Sequence, residues 1–261
     1  LGRGLMRAGQ LDAGREALDD ALKLNPEDER VGATAVISHI RAGEYERALE
    51  TARQMAEERP DAPLPWTLQA LAHVAQDDRE TAREALDEAI SRAPGDPSAR
   101  HYLARLEAQD GNVEAAREHY RAVLEAHEGH SQTLLALAGL EARTGNTGEA
   151  RDLLLQAHQE DEGALEPRVL LARLRLAEGK PEDALDVLSA GDGNVPDHPA
   201  ALEVAVQAYV ALEQTSRAVE VLSRWVDQSP ESTQAHLMLA RAYVRSGDSD
   251  ASVDQLERVL E

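Results

Sequence analysis

The feature that most constrains this chain is a phrase that returns every 34 residues. "RAGEYERALE" (41–50) has counterparts in "RAGQLDAGREAL" (7–18), "QDGNVEAARE" (109–118), "RTGNTGEARD" (143–152) and "AEGKPEDALD" (177–186). Steps of 34 residues from Gly9 reach Gly43, Asp77, Gly111, Gly145, Gly179, Glu213 and Gly247. Five residues after each marker stands a small residue: Gly14, Ala48, Ala82, Ala116, Ala150, Ala184, Ala218 and Ser252. Seventeen residues after the first seven markers come Pro26, Pro60, Pro94, Glu128, Glu162, Pro196 and Pro230. No insertion or deletion breaks the register, and a fixed period in this range is the mark of a stacked repeat array.

Each part of the phrase has a physical task. The glycine closes a helix, because it adopts the left-handed conformation at a helical carboxyl end without steric cost. The small residue lies early in the next helix, where a large side chain would hold two helices apart. Proline breaks the chain between repeats, since it cannot continue a helix but fits the first turn of one. Between these marks the apolar residues follow helical spacing, as in Leu103, Leu106, Val113, Ala116, Tyr120 and Leu124. No stretch alternates like a half-buried strand, so the expected fold is all-α, an array of helical hairpins.

A helix–turn–helix of this length, with small residues at its eighth and twentieth positions and proline near its end, resembles the tetratricopeptide repeat. The eighth position reads Gly2, Val36, Ala70, Ala104, Ala138, Ala172, Val206 and Ala240, and the twenty-fourth is mostly leucine (Leu18, Leu86, Leu154, Leu188, Leu222, Leu256). The resemblance implies a right-handed α-solenoid. Of the family's usual aromatics, Trp66, Tyr209 and Tyr243 are among the few in place, and the chain has no Phe. His39 and His73, at the eleventh position, are expected to stand in for a packing tyrosine. In this register the chain is one array: a part-repeat (1–28), six whole repeats (29–62, 63–96, 97–130, 131–164, 165–198, 199–232) and a nearly whole one (233–261). Neither end supplies the polar cap a solenoid needs, so a piece of a longer protein is expected.

Composition narrows the partners. A net charge of −22 repels nucleic acid. No run of eighteen apolar residues is present, which excludes a helical membrane span within this sequence. The absence of cysteine excludes a disulfide framework and thiol chemistry, and fits either the cytoplasm or an oxidising periplasm. Only Lys23 and Lys180 are lysines, against 25 arginines, a balance that suits a saline habitat or a GC-rich genome. In "SAGDGNVPDHP" (189–199), Gly191 replaces a residue such as Met55, Ala89 or Ala157, so that second helix is expected to end early, leaving a longer loop or a hinge.

The resemblance implies that the second, fifth, ninth, twelfth and thirteenth positions face a concave groove. These 38 positions hold nine arginines, Arg3, Arg7, Arg30, Arg41, Arg105, Arg143, Arg173, Arg241 and Arg245, and two acids, Glu166 and Glu203. An even spread of the chain's charges would place about four bases and seven acids there. The groove is therefore expected to be basic within an acidic protein and to favour an anionic ligand. Two bland readings compete: arginine at the thirteenth position is favoured by the helix dipole, and it can pair with acids of the next repeat. The mid-helix arginines of the ninth position gain little from the dipole.

Catalysis finds no support, since phosphate-binding loops and nucleophile elbows are absent. No catalytic, cofactor-binding or metal-ligating residue is expected. "AHEGH" (126–130) sets His127 and His130 three apart around Glu128, but no further ligand cluster accompanies them. Carboxylate pairs such as Asp19 and Asp20 read as solvated faces of second helices.

A narrower resemblance rests on residues 60–90 ("PDAPLPWTLQALAHVAQDDRETAREALDEAI"), 97–129 and 165–188. These are similar to the tetratricopeptide lipoproteins of bacterial exosortase (PEP-CTERM) systems. That implies a periplasmic, outer-membrane-associated setting in exopolysaccharide production and protein sorting. Two functions follow as expectations: a scaffold holding a protein or peptide partner in the groove, or direct binding of an anionic polysaccharide along arginines 3, 105, 173 and 241.

Overall fold

Among the described residues, the turns within and between hairpins fall where the repeat phrase places them. A computed structural model of the chain describes Gly4, residues 10–189 and residues 194–260. Among these residues it contains fifteen long helices and no strand. They are α1 (Leu11–Leu24), α2 (Glu29–Ala42), α3 (Tyr45–Glu58), α4 (Pro63–Ala75), α5 (Arg79–Arg92), α6 (Pro97–Gln109), α7 (Val113–Ala126) and α8 (Ser131–Arg143). There follow α9 (Thr147–Glu160), α10 (Leu165–Ala177), α11 (Pro181–Ser189), α12 (Pro199–Ala211), α13 (Thr215–Gln228), α14 (Thr233–Ser246) and α15 (Ser249–Leu260). Even-numbered helices are the first of each hairpin and odd-numbered helices the second.

The marker residue behaves as its register demands. Gly43, Gly111, Gly145, Gly179 and Gly247 all have positive φ, and so do Asp77 and Glu213, at 61° and 58°. At Gly43 the backbone N–H groups of the turn return to His39 and Ile40 carbonyls, satisfying the end of α2. Pro26, Pro60, Pro94 and Pro230 sit in the turns between hairpins, while Pro63, Pro97 and Pro199 open helices. There the missing N–H costs nothing. Helix α11 is described as far as Ser189, and Asn194–Pro196 is not helical. Gly191 itself lies outside the described residues.

The small residues are where helices meet. Gly14, Ala48, Ala82, Ala116, Ala150, Ala184, Ala218 and Ser252 are all buried, as are the described residues of the eighth position. The chain forms two compact units, residues 1–136 and 137–261. In the first, consecutive helices from α1 to α7 pack on one another, and the first helices also touch side by side, α2 on α4 and α4 on α6. Its core has one cluster around Val36, Leu68 and Met55 and another around Leu86, Leu103 and Leu106. In the second unit consecutive helices from α9 to α15 pack likewise, α10 also touches α12, and one core gathers Leu188, Leu202, Leu222, Trp225 and Leu239. Leucine and alanine fill space that aromatics would otherwise occupy, at roughly 1.5–3 kcal/mol per fully buried large side chain.

Candidate functional site

The arginines expected to face a groove lie on the first helices. Arg30 is in the first turn of α2 and Arg41 in its last; Arg105 is at the middle of α6, Arg173 of α10 and Arg241 of α14; Arg143 ends α8, and Arg245 is in the last turn of α14. All seven are exposed. Arg3 and Arg7 lie outside the described residues. The two units divide the set: Arg30, Arg41 and Arg105 belong to the first, and Arg143, Arg173, Arg241 and Arg245 to the second. Within the first unit α4 separates the arginine-bearing helices, presenting Leu71 and Ala75 at the equivalent positions. A small crevice between α4 and α6 is lined by Leu71, Val74, Tyr102 and Arg105, and the Arg105 guanidinium lies 5.2 Å from the Tyr102 ring centre.

Several arginines of the second helices are instead paired with carboxylates. Arg47 bridges Asp19 and Glu44, Arg79 joins Asp77 and Asp110, and Arg83 joins Glu107 and Asp110. Arg92 holds Glu88, and Arg117 holds Glu114. By contrast, among the described residues Arg30, Arg41, Arg105, Arg143, Arg241 and Arg245 meet no carboxylate. The exception is Arg173, whose Nη2 donates to Glu203 Oε2 at 3.1 Å, linking the ninth position of α10 to the fifth of α12. Pairing with the next repeat therefore accounts for one arginine and leaves six with unneutralised charge. Thr67, His101 and Val169, at the fifth position, are buried between helices rather than free.

The eleventh position carries a device that sequence reading missed. His39 fills the buried eleventh position and also bonds through both ring nitrogens. It is 1% exposed, with Nδ1 2.7 Å from Glu44 Oε2 and Nε2 3.0 Å from Asp19 Oδ1. Asp19 is accordingly half-buried and held on both oxygens, the second by Arg47; Asp20 pairs outward, with Lys23. The relationship recurs five residues apart: His73 Nδ1 to Asp78 at 3.2 Å, Asn112 Nδ2 donating to Glu107 at 2.6 Å, and Asn146 Nδ2 donating to Glu141 at 2.6 Å. In each case the partner is the residue that begins the second helix, so the contact closes the hairpin. The spacing of a polar eleventh and a polar sixteenth residue could have revealed it. The hydrogen bond from His39 holds the Glu44 carboxyl below its ordinary value. Burial works against charge on Glu107, yet bonds from Arg83 and Asn112 keep its carboxyl low.

The histidines of "AHEGH" do not converge on a common centre. His127 Nε2 donates to the Gly95 carbonyl at 2.8 Å, whereas His130 Nδ1 lies 2.7 Å from the Thr133 hydroxyl. That hydroxyl is shared with His101, whose Nδ1 is 2.9 Å away. Burial, followed by the nearby His130 and Arg105, pushes His101 down to about 4. Among the described residues no group of three His, Cys, Asp or Glu side chains could hold a metal ion, and no helix is long and apolar enough to cross a membrane.

Two family models, both described as Tetratricopeptide repeat, match the chain. One matches residues 67–131 and 103–164; the other matches 5–72, 142–208, 175–231 and 209–261. Among curated sequences none matches. Solved structures with a similar fold include yeast Tom70, with a TM-score of 0.66 and 18% identity over 96% of this chain and 55% of that one. Cut9, from the APC/C Cut9–Hcn1 hetero-tetramer, has a TM-score of 0.62 and 15% identity, covering 99% of this chain and 51% of that one. A tetratricopeptide repeat protein of Parabacteroides merdae has a TM-score of 0.58 and 15% identity, covering 100% and 96%. The chain thus spans about half the length of Tom70 and Cut9.

Proposed function

Because the chain belongs to the tetratricopeptide repeat family, we propose that it is a non-catalytic scaffold whose units each hold an anionic segment of a partner protein against their first helices. The fold is a scaffold for protein–protein association. The observation that supports an anionic partner is that, of the seven described arginines of the set, Arg173 alone meets a carboxylate among the described residues. Arg47, Arg79 and Arg83 of the second helices are neutralised by neighbouring carboxylates, whereas Arg30, Arg41, Arg105, Arg143, Arg241 and Arg245, like Arg53 and Arg217 of the second helices, are exposed without one among the described residues. A guanidinium left free presents a planar fork that matches a carboxylate on two bonds. Leu71, Val74 and Tyr102 beside Arg105 add apolar contact that suits a peptide better than a sugar chain. The setting we propose is a bacterial envelope assembly for exopolysaccharide export and protein sorting, on the strength of residues 60–90, 97–129 and 165–188.

A pull-down from a bacterial envelope extract tests this reading, with wild-type bait set against an Arg41, Arg105, Arg241→Glu bait. A protein retained by the wild type and lost from the variant supports the scaffold. Anionic carbohydrate retained without protein would instead establish polysaccharide binding. Equal recovery by both baits would remove the arginine face from consideration.

A further inference from the structure

On the second-helix side of the first unit, α1 and α3 do not close on each other. Between them lies a cavity of about 580 Å³, within the range of ligand-binding clefts. We infer that this trough is a second docking site, for a short basic amphipathic segment of a partner protein.

Two features carry the inference. The first is an apolar floor. Leu22 of α1 and Met55 of α3 line the trough, with buried His39 of α2 beside them. Met55 is 6% exposed and belongs to the core around Val36 and Leu68, so it forms the base of the trough beneath the half-buried Leu22. The second is the sign of the charge left over. The trough's two bases are engaged, Lys23 with Asp20 at 2.9 Å and Arg47 with Asp19 and Glu44. Its exposed acids Glu50, Glu57 and Glu58 have no basic partner among the described residues. Glu50 and Glu57 lie two turns apart on one face of α3, about 10 Å at 1.5 Å per residue. A helical segment with lysine or arginine at the same interval meets both. The last turns of α1 and α3 also open on the trough, and helix carboxyl ends favour cations. A metal ion does not fit this chemistry, since no ligand cluster is present among the described residues. The trough is separate from the arginine face, so either site stands if the other fails.

The test uses a fluorescent twelve-residue lysine–leucine peptide in helical register, read by anisotropy at near-physiological salt. Glu50→Gln, Glu57→Gln and Glu58→Gln together are expected to weaken binding about tenfold, as the loss of three exposed ion pairs would. These side chains are exposed, and circular dichroism verifies that the helices persist. Glu80→Gln, Glu84→Gln and Asp87→Asn on α5 remove the same charge elsewhere and are expected to change affinity by less than about twofold. The chain has three methionines, so methyl NMR resolves the location: the peptide should shift the Met55 resonance and leave Met238 in place. Equal weakening by both triple variants would reduce the effect to overall acidity and overturn the proposal. So would equal affinity for a lysine–glycine peptide of the same charge, or a Met238 shift as large as that of Met55.

Discussion

Arg83 Nε donates to Glu107 Oε1 at 2.6 Å, tying the second helix of one hairpin to the first helix of the next across 24 residues. Glu107 also accepts from Asn112 at 2.6 Å, which starts the helix after it. One buried carboxylate thus fixes three helices at once. Truncating it by Glu107→Ala leaves Asn112 without its acceptor and Arg83 with Asp110 alone, at a cost of about 1–3 kcal/mol. A double-mutant cycle with Arg83→Ala, followed by urea denaturation, should return a coupling of about 1 kcal/mol. Additive effects would mean that the contact contributes nothing. Because the folded carboxyl is held low, its contribution is complete above the unfolded value near 4.5 and declines as pH falls through the folded value.

Glu213 occupies a left-handed turn with φ 58° where most of the other repeats place glycine. A side chain there is strained, so Glu213→Gly is expected to stabilise the protein by about 0.5–1 kcal/mol. Asp77→Gly should gain less, because Asp77 accepts from Arg79 Nε at 3.0 Å and loses that bond. Conversely, Gly111→Ala, at φ 83°, is expected to cost about 1–2 kcal/mol. Thermal unfolding of the three variants checks the order; a destabilised Glu213→Gly would contradict it.

His101 is buried against Tyr120 and shares the Thr133 hydroxyl with His130. Its folded pKa of about 4 lies below the ordinary 6.5, chiefly through burial. Below pH 6.5 the unfolded chain takes up a proton that the folded protein refuses. Stability present above pH 6.5 should therefore fall toward pH 4, by roughly 2–3 kcal/mol. Imidazole NMR should show His101 neutral at pH 5, and His101→Gln should flatten this part of the stability profile. A His101 resonance titrating above pH 6 would exclude the effect.

The 34-residue register alone determined the helices, their turns and the buried small residues. Those properties are local: a glycine or proline acts on its own backbone, and an alanine at the twentieth position is buried in whichever repeat carries it. It also marked which arginines lie on the first helices, because helical periodicity assigns faces. Which charges remain free was decided only in three dimensions. Asp19 read as a solvated carboxylate and is held by His39 and Arg47; Arg173 read like Arg105 and yet meets Glu203. The trough between α1 and α3 was equally invisible, since its walls come from helices more than twenty residues apart. Whether an ion pair forms depends on distance and solvent exposure between segments, and the repeat phrase specifies neither.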